Sequence, residues 1–198
     1  MKFPDGSDPN AKDINGNTPL HLAAQEGNVD AIKTLLSLGA NPNSRDNNDD
    51  TPLHLAAVEG NTDALKILLD HGADSNAKDK DNSTPLHAAA LAGDVTAIEI
   101  LLKYKANIDA ENNAGITPLH VAAFRGNVDA IKILLKYGAN PHTKDGAGTT
   151  PLHAAAFANS VDAIEILLKY GANPYARDYM GRRPIDLTSD PQLKRKLS

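Results

Sequence analysis

The segment Thr51-Pro52-Leu53-His54 decides the fold, because this tetrapeptide returns along the chain at a fixed interval. Copies of Thr-Pro-Leu-His begin at Thr18, Thr51, Thr84, Thr117 and Thr150, and each copy lies 33 residues after the one before. A degenerate sixth copy, Arg183-Pro184-Ile185-Asp186, follows after another 33 residues. A period of this length without insertions predicts a repeat protein whose units stack side by side.

Each unit contains the signals for a first short helix. Threonine is a good N-cap, and proline suits the first helical position because its missing N–H has no partner there in any case. Leu20, Ala23 and Ala24 then give one narrow apolar face. The helix is predicted to end where a left-handed residue is expected, at Gly27, Gly60, Gly93, Gly126 and Asn159.

A second helix follows directly in every unit. The residues after the left-handed position, which could cap it through their side chains, are Asn28, Asn61, Asp94, Asn127 and Ser160. Val29, Ile32, Leu35 and Leu36 form its apolar stripe, and Gly39 and its counterparts end it. About ten residues rich in Asn, Asp and Gly then lead to the next Thr-Pro, and we expect them to form a turn or hairpin-like finger.

This pattern resembles the ankyrin repeat. The residues that carry the resemblance in one unit are a finger beginning at Asp46, Thr51-Pro52-Leu53-His54-Leu55-Ala56-Ala57, Gly60-Asn61, Leu68-Leu69 and Gly72-Ala73-Asp74. The resemblance covers nearly the whole chain. It implies an all-α ankyrin-repeat solenoid of stacked antiparallel helix pairs, with projecting β-turn or hairpin fingers and a concave groove between the fingers and the first helices.

We expect one domain over residues 1–198. It would contain a partial preceding repeat (1–17), five full repeats (18–50, 51–83, 84–116, 117–149 and 150–182) and a C-terminal cap (183–198). The entry segment aligns with the tail of a repeat whose helices are missing. Either the chain was cut from a longer array, or its first helix pair is directly exposed. In the cap, Leu193 and Leu197 are the apolar residues of an otherwise polar helix.

Three positions depart from the repeat. Asp49 and Asn82 occupy the fingertip position that is glycine in other units, and Lys105 occupies the position of the glycine that ends the second helix. We expect all three residues to adopt the left-handed backbone conformation, at a cost for lysine on the order of 1 kcal/mol.

The composition excludes several classes of protein. There is no cysteine for a disulfide framework, no long apolar run for a membrane span, and no apolar signal region in Met1–Gly6. We therefore expect a cytoplasmic protein that does not associate with membranes. The net charge of −5 and the alternation of lysine with glutamate on the second helices disfavour nucleic acid as a partner. We also expect a monomer.

The sequence contains no pattern that predicts a catalytic or metal site. The five histidines of the tetrapeptides lie on helices expected to be 8–10 Å apart, too far to share a zinc ion, so we expect each imidazole to bond backbone at the base of its finger. The acidic runs at Asp46 and Asp79 lack the glycine and bidentate acid of an EF-hand. Gly146-Ala147-Gly148 lacks a P-loop lysine. We expect no enzyme activity, no cofactor and no metal.

A candidate partner surface lies on the side of the first helices opposite the buried leucine and alanines. One column there reads Gln25, Val58, Leu91, Phe124 and Phe157, and Glu59 and Arg125 adjoin it. In ankyrin proteins this column lies at the groove edge and commonly contacts partners. The alternative is that these side chains pack against the next repeat. The expected fingertip rim consists of Asn47, Asn48, Asp50, Lys80, Asp81, Asn113 and Ile116.

These residues predict a non-catalytic module that binds a protein partner through its groove and fingertips. An apolar groove with an acidic rim suggests a partner with basic residues around an apolar anchor. The alternative function is a targeting or substrate-recruiting domain of a larger enzyme or effector. Tyr104, Tyr137 and Tyr170 form a possible second face, and the resemblance also implies possible hydroxylation of Asn43 or Asn76.

Overall fold

The computed structural model describes residues 8–197, which form two compact units with the boundary between Asn107 and Ile108. The boundary falls inside the predicted repeat 84–116, between its second helix and its finger. Residues 1–7, which include the segment examined for a signal and the start of the predicted partial repeat, lie outside the described residues.

The helices occur in pairs, as the repeat predicts. The first unit contains α1 (Pro19–Gln25), α2 (Val29–Ser37), α3 (Pro52–Val58), α4 (Thr62–Asp70), α5 (Pro85–Ala92) and α6 (Val95–Lys103). The second unit contains α7 (Pro118–Arg125), α8 (Val128–Lys136), α9 (Pro151–Phe157), α10 (Val161–Lys169), a 3₁₀ turn (Pro184–Leu187) and α11 (Pro191–Leu197). No strand occurs in residues 8–197.

Within each unit the pairs stack in layers. In the first unit α1 packs on α3 and α3 on α5, while α2 packs on α4 and α4 on α6. In the second unit α7 packs on α9, α8 packs on α10, and the 3₁₀ turn packs on α9. The all-α repeat architecture is thus confirmed within each unit. In the described part of the chain, no helix is both long and apolar enough to cross a membrane.

The core consists of leucine, isoleucine and alanine in thin layers. Leu20, Leu53 and Leu86 are fully buried, and the alanine pairs of the first helices are at most 5% exposed. Alanine brings neighbouring helices close together, while each buried leucine contributes about 2 kcal/mol of apolar burial. The scarcity of aromatic residues in the sequence follows from this packing.

The tetrapeptide histidine joins the start of its repeat to the finger that leads to the next repeat. The backbone N–H of Thr18 donates to Nδ1 of His21 at 3.1 Å. Because a backbone amide can only donate, Nδ1 carries no hydrogen and Nε2 must carry it. Nε2 of His21 then donates to the carbonyl of Asp50, at 3.0 Å. The predicted structural role is confirmed, since the imidazole bonds the base of the finger that ends its own repeat and leads to the next helix start.

The same bridge recurs in the later repeats. His54, His120 and His153 accept from the backbone N–H of their own threonines and donate through Nε2 to the carbonyls of Ser83, Thr149 and Arg182, at 3.2, 3.0 and 3.1 Å. His87 accepts from the backbone N–H of Thr84 at 3.1 Å. These imidazoles are at most 4% exposed.

The left-handed residues between the helices are confirmed. Gly27, Gly60, Gly93 and Gly126 have φ between 67° and 75°, and Asn159 has φ of 53°. The predicted side-chain caps of the second helices are only partly correct. Asn28 and Asp94 accept from the backbone N–H three residues on, whereas the side chains of Asn61, Asn127 and Ser160 make no such bond.

Asn61 shows why that prediction failed. Its side-chain amide instead donates to the carbonyls of Ala24 and Gln25, at 3.0 and 2.8 Å, at the end of the preceding first helix. The carbonyls at that helix end have no intrahelical partner. A bond between two repeats therefore replaces the local cap.

Each finger is closed by one carboxylate or amide. Oδ1 of Asp46 accepts from the backbone N–H of Asn48 at 2.7 Å and of Asp50 at 2.9 Å. The same pair of bonds is made by Asp13, Asp79, Asn112, Asp145 and Asp178. The Asn- and Asp-rich connection thus folds because these side chains supply acceptors to a tight turn.

Adjacent fingers are joined by backbone hydrogen bonds within each unit. The N–H of Asn47 donates to the carbonyl of Asn15 at 2.9 Å, and that of Lys80 to the carbonyl of Asn48 at 3.0 Å. In the second unit, the N–H of Tyr179 donates to the carbonyl of Ala147 at 3.0 Å. The fingers therefore form a hydrogen-bonded row.

The segment predicted to be the C-terminal cap ends in a helix that buries two leucines. Leu193 and Leu197 of α11 are 0% and 1% exposed, and Lys194 and Arg195 lie exposed. The hydroxyl of Thr188 donates to Oδ1 of Asn159 at 2.6 Å, which ties the segment before α11 to the turn after α9. The cap thus places polar groups at the surface while its leucines complete the core.

The three departures from the repeat adopt the expected conformation. Asp49, Asn82 and Lys105 have φ of 63°, 60° and 65°. At the glycines that correspond to Lys105, an added Cβ would meet no atom within 4 Å. The cost of lysine at this position is therefore backbone strain and not crowding.

Replacing Lys105 with glycine should stabilise the protein. We expect Lys105→Gly to raise the free energy of unfolding by about 0.5–1 kcal/mol, because glycine adopts positive φ without the Cβ clash. Urea denaturation at pH 7.5 measures this. As a control, Lys66→Gly inside α4 should lower the free energy by about 1 kcal/mol. A loss of stability in Lys105→Gly would contradict the strain argument.

The histidine bridges should make stability depend on pH. Burial lowers the pKa of His21, His54, His120 and His153 below the ordinary value of 6.5. The unfolded chain therefore binds protons below pH 6.5 that the folded chain does not bind. We expect the free energy of unfolding to fall as pH drops below 6.5, by up to about 1.4 kcal/mol per pH unit for each such histidine.

Urea denaturation between pH 8 and 5 tests this expectation. The free energy should be nearly level from pH 8 to 7 and should then decrease. The variant His120→Gln should be less stable at pH 7.5, because it loses its bond to the carbonyl of Thr149, but its pH dependence should be shallower. An unchanged slope in that variant would show that the bridge does not cause the dependence.

Candidate functional site

The predicted column lies at the C-terminal ends of the first helices, and its members are exposed. Val58 and Leu91 are 38% and 40% exposed, and Phe124 and Phe157 are 53% and 61% exposed. Gln25 is also exposed. The buried leucine and alanine face of each helix points into the stack, so the column points away from it. Large apolar side chains with this exposure do not contribute fully to the core.

Phe124 and Phe157 form a stacked aromatic pair in the second unit. Their ring centroids lie 6.0 Å apart and their planes differ by 16°. The contact follows from the 33-residue spacing, which places the ends of α7 and α9 side by side. Sequence reasoning identified both rings as exposed residues but did not predict that they stack. Together they present one continuous apolar surface beside exposed Arg125.

The fingertip residues divide into two groups. Asn48, Lys80, Asp81 and Asn113 are exposed near the tips, together with Asn47. Asp50 and Ile116 lie at the base of their fingers and are half-buried, so their placement in the tip rim was wrong. The reason is local: each is the residue before a threonine N-cap, and its backbone N–H donates to the side chain that closes the finger.

Other exposed apolar side chains were not predicted as site residues. Tyr179 and Met180 at the last fingertip are 72% and 76% exposed, and Ile14 at the first is 93% exposed. The Tyr179 ring lies over Gly148, where an added Cβ would come within 2.6 Å of it, and the Lys144 ammonium lies 5.9 Å from the ring centroid. The periodic spacing that places Asn47 and Lys80 at fingertips could have identified these residues.

Asp50 lies in an unfavourable electrostatic setting. In the corresponding position of the second unit, Thr149 donates to Oδ2 of Asp145 at 2.5 Å, and Arg182 donates to Oδ2 of Asp178 at 2.7 Å. In the first unit the equivalent pair is Asp50 and Asp46, two acids. Burial, together with the nearby Asp46, Asp79 and Asp49 carboxylates, raises the pKa of Asp50 to about 6. Four carboxylates, those of Asp46, Asp49, Asp50 and Asp79, therefore influence one another near this finger base.

The remaining candidate residues have structural contacts. The side chain of Asn43 donates to the carbonyl of Gly72 at 2.9 Å and accepts from the N–H of Asp74 at 2.8 Å, and Asn76 bonds Lys105 and Asn107 in the same way. Both amides therefore link consecutive repeats; hydroxylation at either position stays a prediction.

The tyrosine column is partly engaged. The hydroxyl of Tyr104 donates to Oδ1 of Asp70, whereas Tyr137 and Tyr170 are each 43% exposed. Among residues 8–197, no group of three or more histidine, cysteine or acidic residues is arranged to hold a metal ion.

Asp50 and Thr149 occupy corresponding positions at two finger bases, and exchanging their residue types should change the free energy of unfolding in opposite directions. At pH 7, Asp50→Thr should raise the free energy of unfolding by about 1 kcal/mol, since it removes a half-exposed carboxylate held among three others. The gain should shrink below pH 6, because the folded protein then binds the proton that the unfolded chain binds only near pH 4.

The reciprocal change provides the control. Thr149→Asp should lower the free energy by about 2 kcal/mol, because it removes a hydrogen bond and adds a carboxylate beside Asp145. Urea denaturation at pH 7 and pH 5 measures both variants. Equal effects of Asp50→Thr at the two pH values would contradict the electrostatic explanation.

Comparison with known proteins agrees with this geometry. A family model for ankyrin repeats matches the chain three times, over residues 2–79, 74–145 and 115–178. A comparison with curated proteins finds no match. Ankyrin repeats are generally protein–protein interaction modules and are typically non-catalytic. With the recurring Thr-Pro-Leu-His helix starts, the stacked helix pairs and the family match over most of its length, the chain belongs to the ankyrin-repeat family.

Proposed function

We propose that this protein binds a protein partner through the exposed column at the ends of its first helices. The observation that carries the proposal is the stacked pair of Phe124 and Phe157, with more than half of each side chain in water. Aromatic residues are enriched at the centres of protein interfaces, because they bury large areas at a low cost in side-chain entropy. A contiguous aromatic surface of this kind is typical of a contact site.

The neighbouring residues support a graded surface. Within the first unit, Val58 and Leu91 continue the apolar column and Glu59 borders it. Within the second unit, Arg125 borders the phenylalanine pair. Exposed polar fingertip residues, among them Asn48, Lys80, Asp81 and Asn113, would supply a hydrogen-bonding rim of the kind found around apolar interface centres. This proposal places the protein among non-catalytic interaction modules.

Removing the aromatic pair should abolish partner binding with little loss of stability. We expect the double variant Phe124→Ala, Phe157→Ala to stay folded and to lose about 0.5–1.5 kcal/mol, the size of one exposed aromatic contact. Quantitative affinity capture from lysate should show proteins retained by the wild type and lost by this variant. Each protein that is lost should be identified, purified and titrated with the wild type and with the variant.

A matched control keeps the test specific. Tyr137→Ala, Tyr170→Ala removes two aromatic side chains of similar exposure from the ends of the second helices. The proposal predicts that this control retains the partner. If the control loses the partner while the phenylalanine variant retains it, the tyrosine face is the contact site and the proposal is wrong.

A further inference from the structure

The acidic excess of the chain belongs to the first unit. Residues 1–107 contain nine lysines and arginines against sixteen aspartates and glutamates, while residues 108–198 contain eleven against nine. The two units therefore present surfaces of opposite net charge, and a partner of one charge cannot suit both equally. The exposed residues of the first unit indicate which kind of partner it would bind.

Helix α3 carries an apolar stretch with a carboxylate at each end. Asp50 lies directly before its N-cap, and Glu59 lies directly after its last residue, Val58. The seven residues of the helix itself, Pro52–Val58, span about 10 Å at the rise of an α-helix. Between the two acids lie half-buried Leu55 and the exposed side chain of Val58.

The adjoining helix α1 extends this surface. Leu22 is 44% exposed, and Glu26, which follows the last residue of α1, is exposed at the position that corresponds to Glu59. Because α1 packs directly on α3, Glu26 and Glu59 occupy corresponding positions on neighbouring helices, as do Leu22 and Leu55.

The cations beside this finger base donate to backbone carbonyls. The guanidinium of Arg45 donates to the carbonyls of Asp49 and Lys78, at 3.3 and 2.6 Å, and the ammonium of Lys12 donates to the carbonyl of Arg45 at 2.7 Å. The charged groups that act most strongly on the Asp50 carboxylate are Asp46, Asp79 and Asp49.

We infer that this α1–α3 face binds a polypeptide segment in which an apolar side chain is flanked on both sides by lysine or arginine. The face consists of Leu22, Glu26, Asp50, Leu55, Val58 and Glu59. The inference rests on the proposed function, since it names the chemistry of a partner for the first-unit part of that surface. The apolar side chain covers Leu22 and Val58, while the flanking cations meet the carboxylates at the two ends of α3.

Charge complementarity selects this occupant over the others. A cation near Asp50 relieves the repulsion among the carboxylates of the finger base, whereas an acidic segment or a nucleic acid increases it. A second copy that presented the same face would bring Glu26, Asp50 and Glu59 against their own counterparts. Steering by the acidic field would also speed the encounter with a basic segment at low salt.

A synthetic peptide provides the test. Fluorescein-labelled Lys-Lys-Leu-Leu-Leu-Lys-Lys is titrated with the full chain at pH 7.5 in 50 mM salt, and the anisotropy is recorded. The analogue with glutamate in place of each lysine is measured in parallel. We expect the lysine peptide to bind at least tenfold more tightly than the glutamate analogue. Equal binding of the two, or none by the lysine peptide, would overturn the inference.

Matched variants separate a specific face from a general attraction. Asp50→Thr, Glu59→Gln should weaken binding of the lysine peptide at least fivefold, and Val58→Ser should weaken it at least threefold. The control Asp63→Asn, Asp162→Asn removes the same charge from exposed positions on α4 and α10 and should change binding less than twofold. Equal weakening by the control would show attraction to net charge alone and would overturn the inference.

Sedimentation at low salt tests whether a second copy of the chain occupies this face instead of a basic segment. Concentration-dependent self-association that disappears in Asp50→Thr, Glu59→Gln would identify a second copy as the occupant and overturn the inference.

The outcomes of the peptide titration and of the affinity capture also distinguish failure of this inference from failure of the proposed function. If the lysine peptide does not bind while capture still depends on Phe124 and Phe157, only the inference is wrong. If the peptide binds as expected while capture is independent of the phenylalanines, only the proposed function is wrong.

Discussion

The structure of each unit depends on a neutral imidazole that is bonded on both sides. Nδ1 accepts from the backbone N–H of the threonine before its own helix, and Nε2 donates to a carbonyl at the base of the finger that leads to the following repeat. One side chain thus accepts a hydrogen bond from the backbone N–H at a helix start and donates one to the base of a finger. It thereby holds the finger, and the start of the next repeat, in a fixed position relative to its own helix. Because a protonated imidazole cannot accept at Nδ1, the repeat requires the uncharged tautomer. The burial of these rings keeps them in that form.

The other contacts between repeats follow the same plan of side chain to backbone. Asn43 and Asn76 each bond both a carbonyl and an N–H of the next repeat, and Asn61 bonds the end of the preceding first helix. Because these bonds hold the repeats together, the stack does not require particular side chains at the outward-facing positions. Positions such as Val58 and Phe157 can therefore vary without altering the stack, which is how one scaffold carries different contact surfaces.

The helix pairs, their boundaries to within a residue or two and the left-handed positions could be predicted from the sequence, because a strict period repeats every local signal. The side-chain caps of Asn61, Asn127 and Ser160 could not, since their environment includes a neighbouring repeat that a local pattern does not represent. The same limit applies to the candidate site. Exposure of Phe124 and Phe157 follows from helix periodicity, but their stacking and the position of Asp50 at a finger base require the distances between repeats.

The hydrogen-bonded row of fingers bears on the kinetics of recognition. Within each unit, backbone hydrogen bonds between adjacent fingers restrict their independent movement, so the fingers are ordered before any ligand contacts them. A rigid surface loses little conformational entropy on binding, and encounters need no rearrangement. Differences in affinity among ligands should then appear mainly as differences in residence time. In the proposed binding role, the fingers would act as a preorganised rim and not as flexible arms.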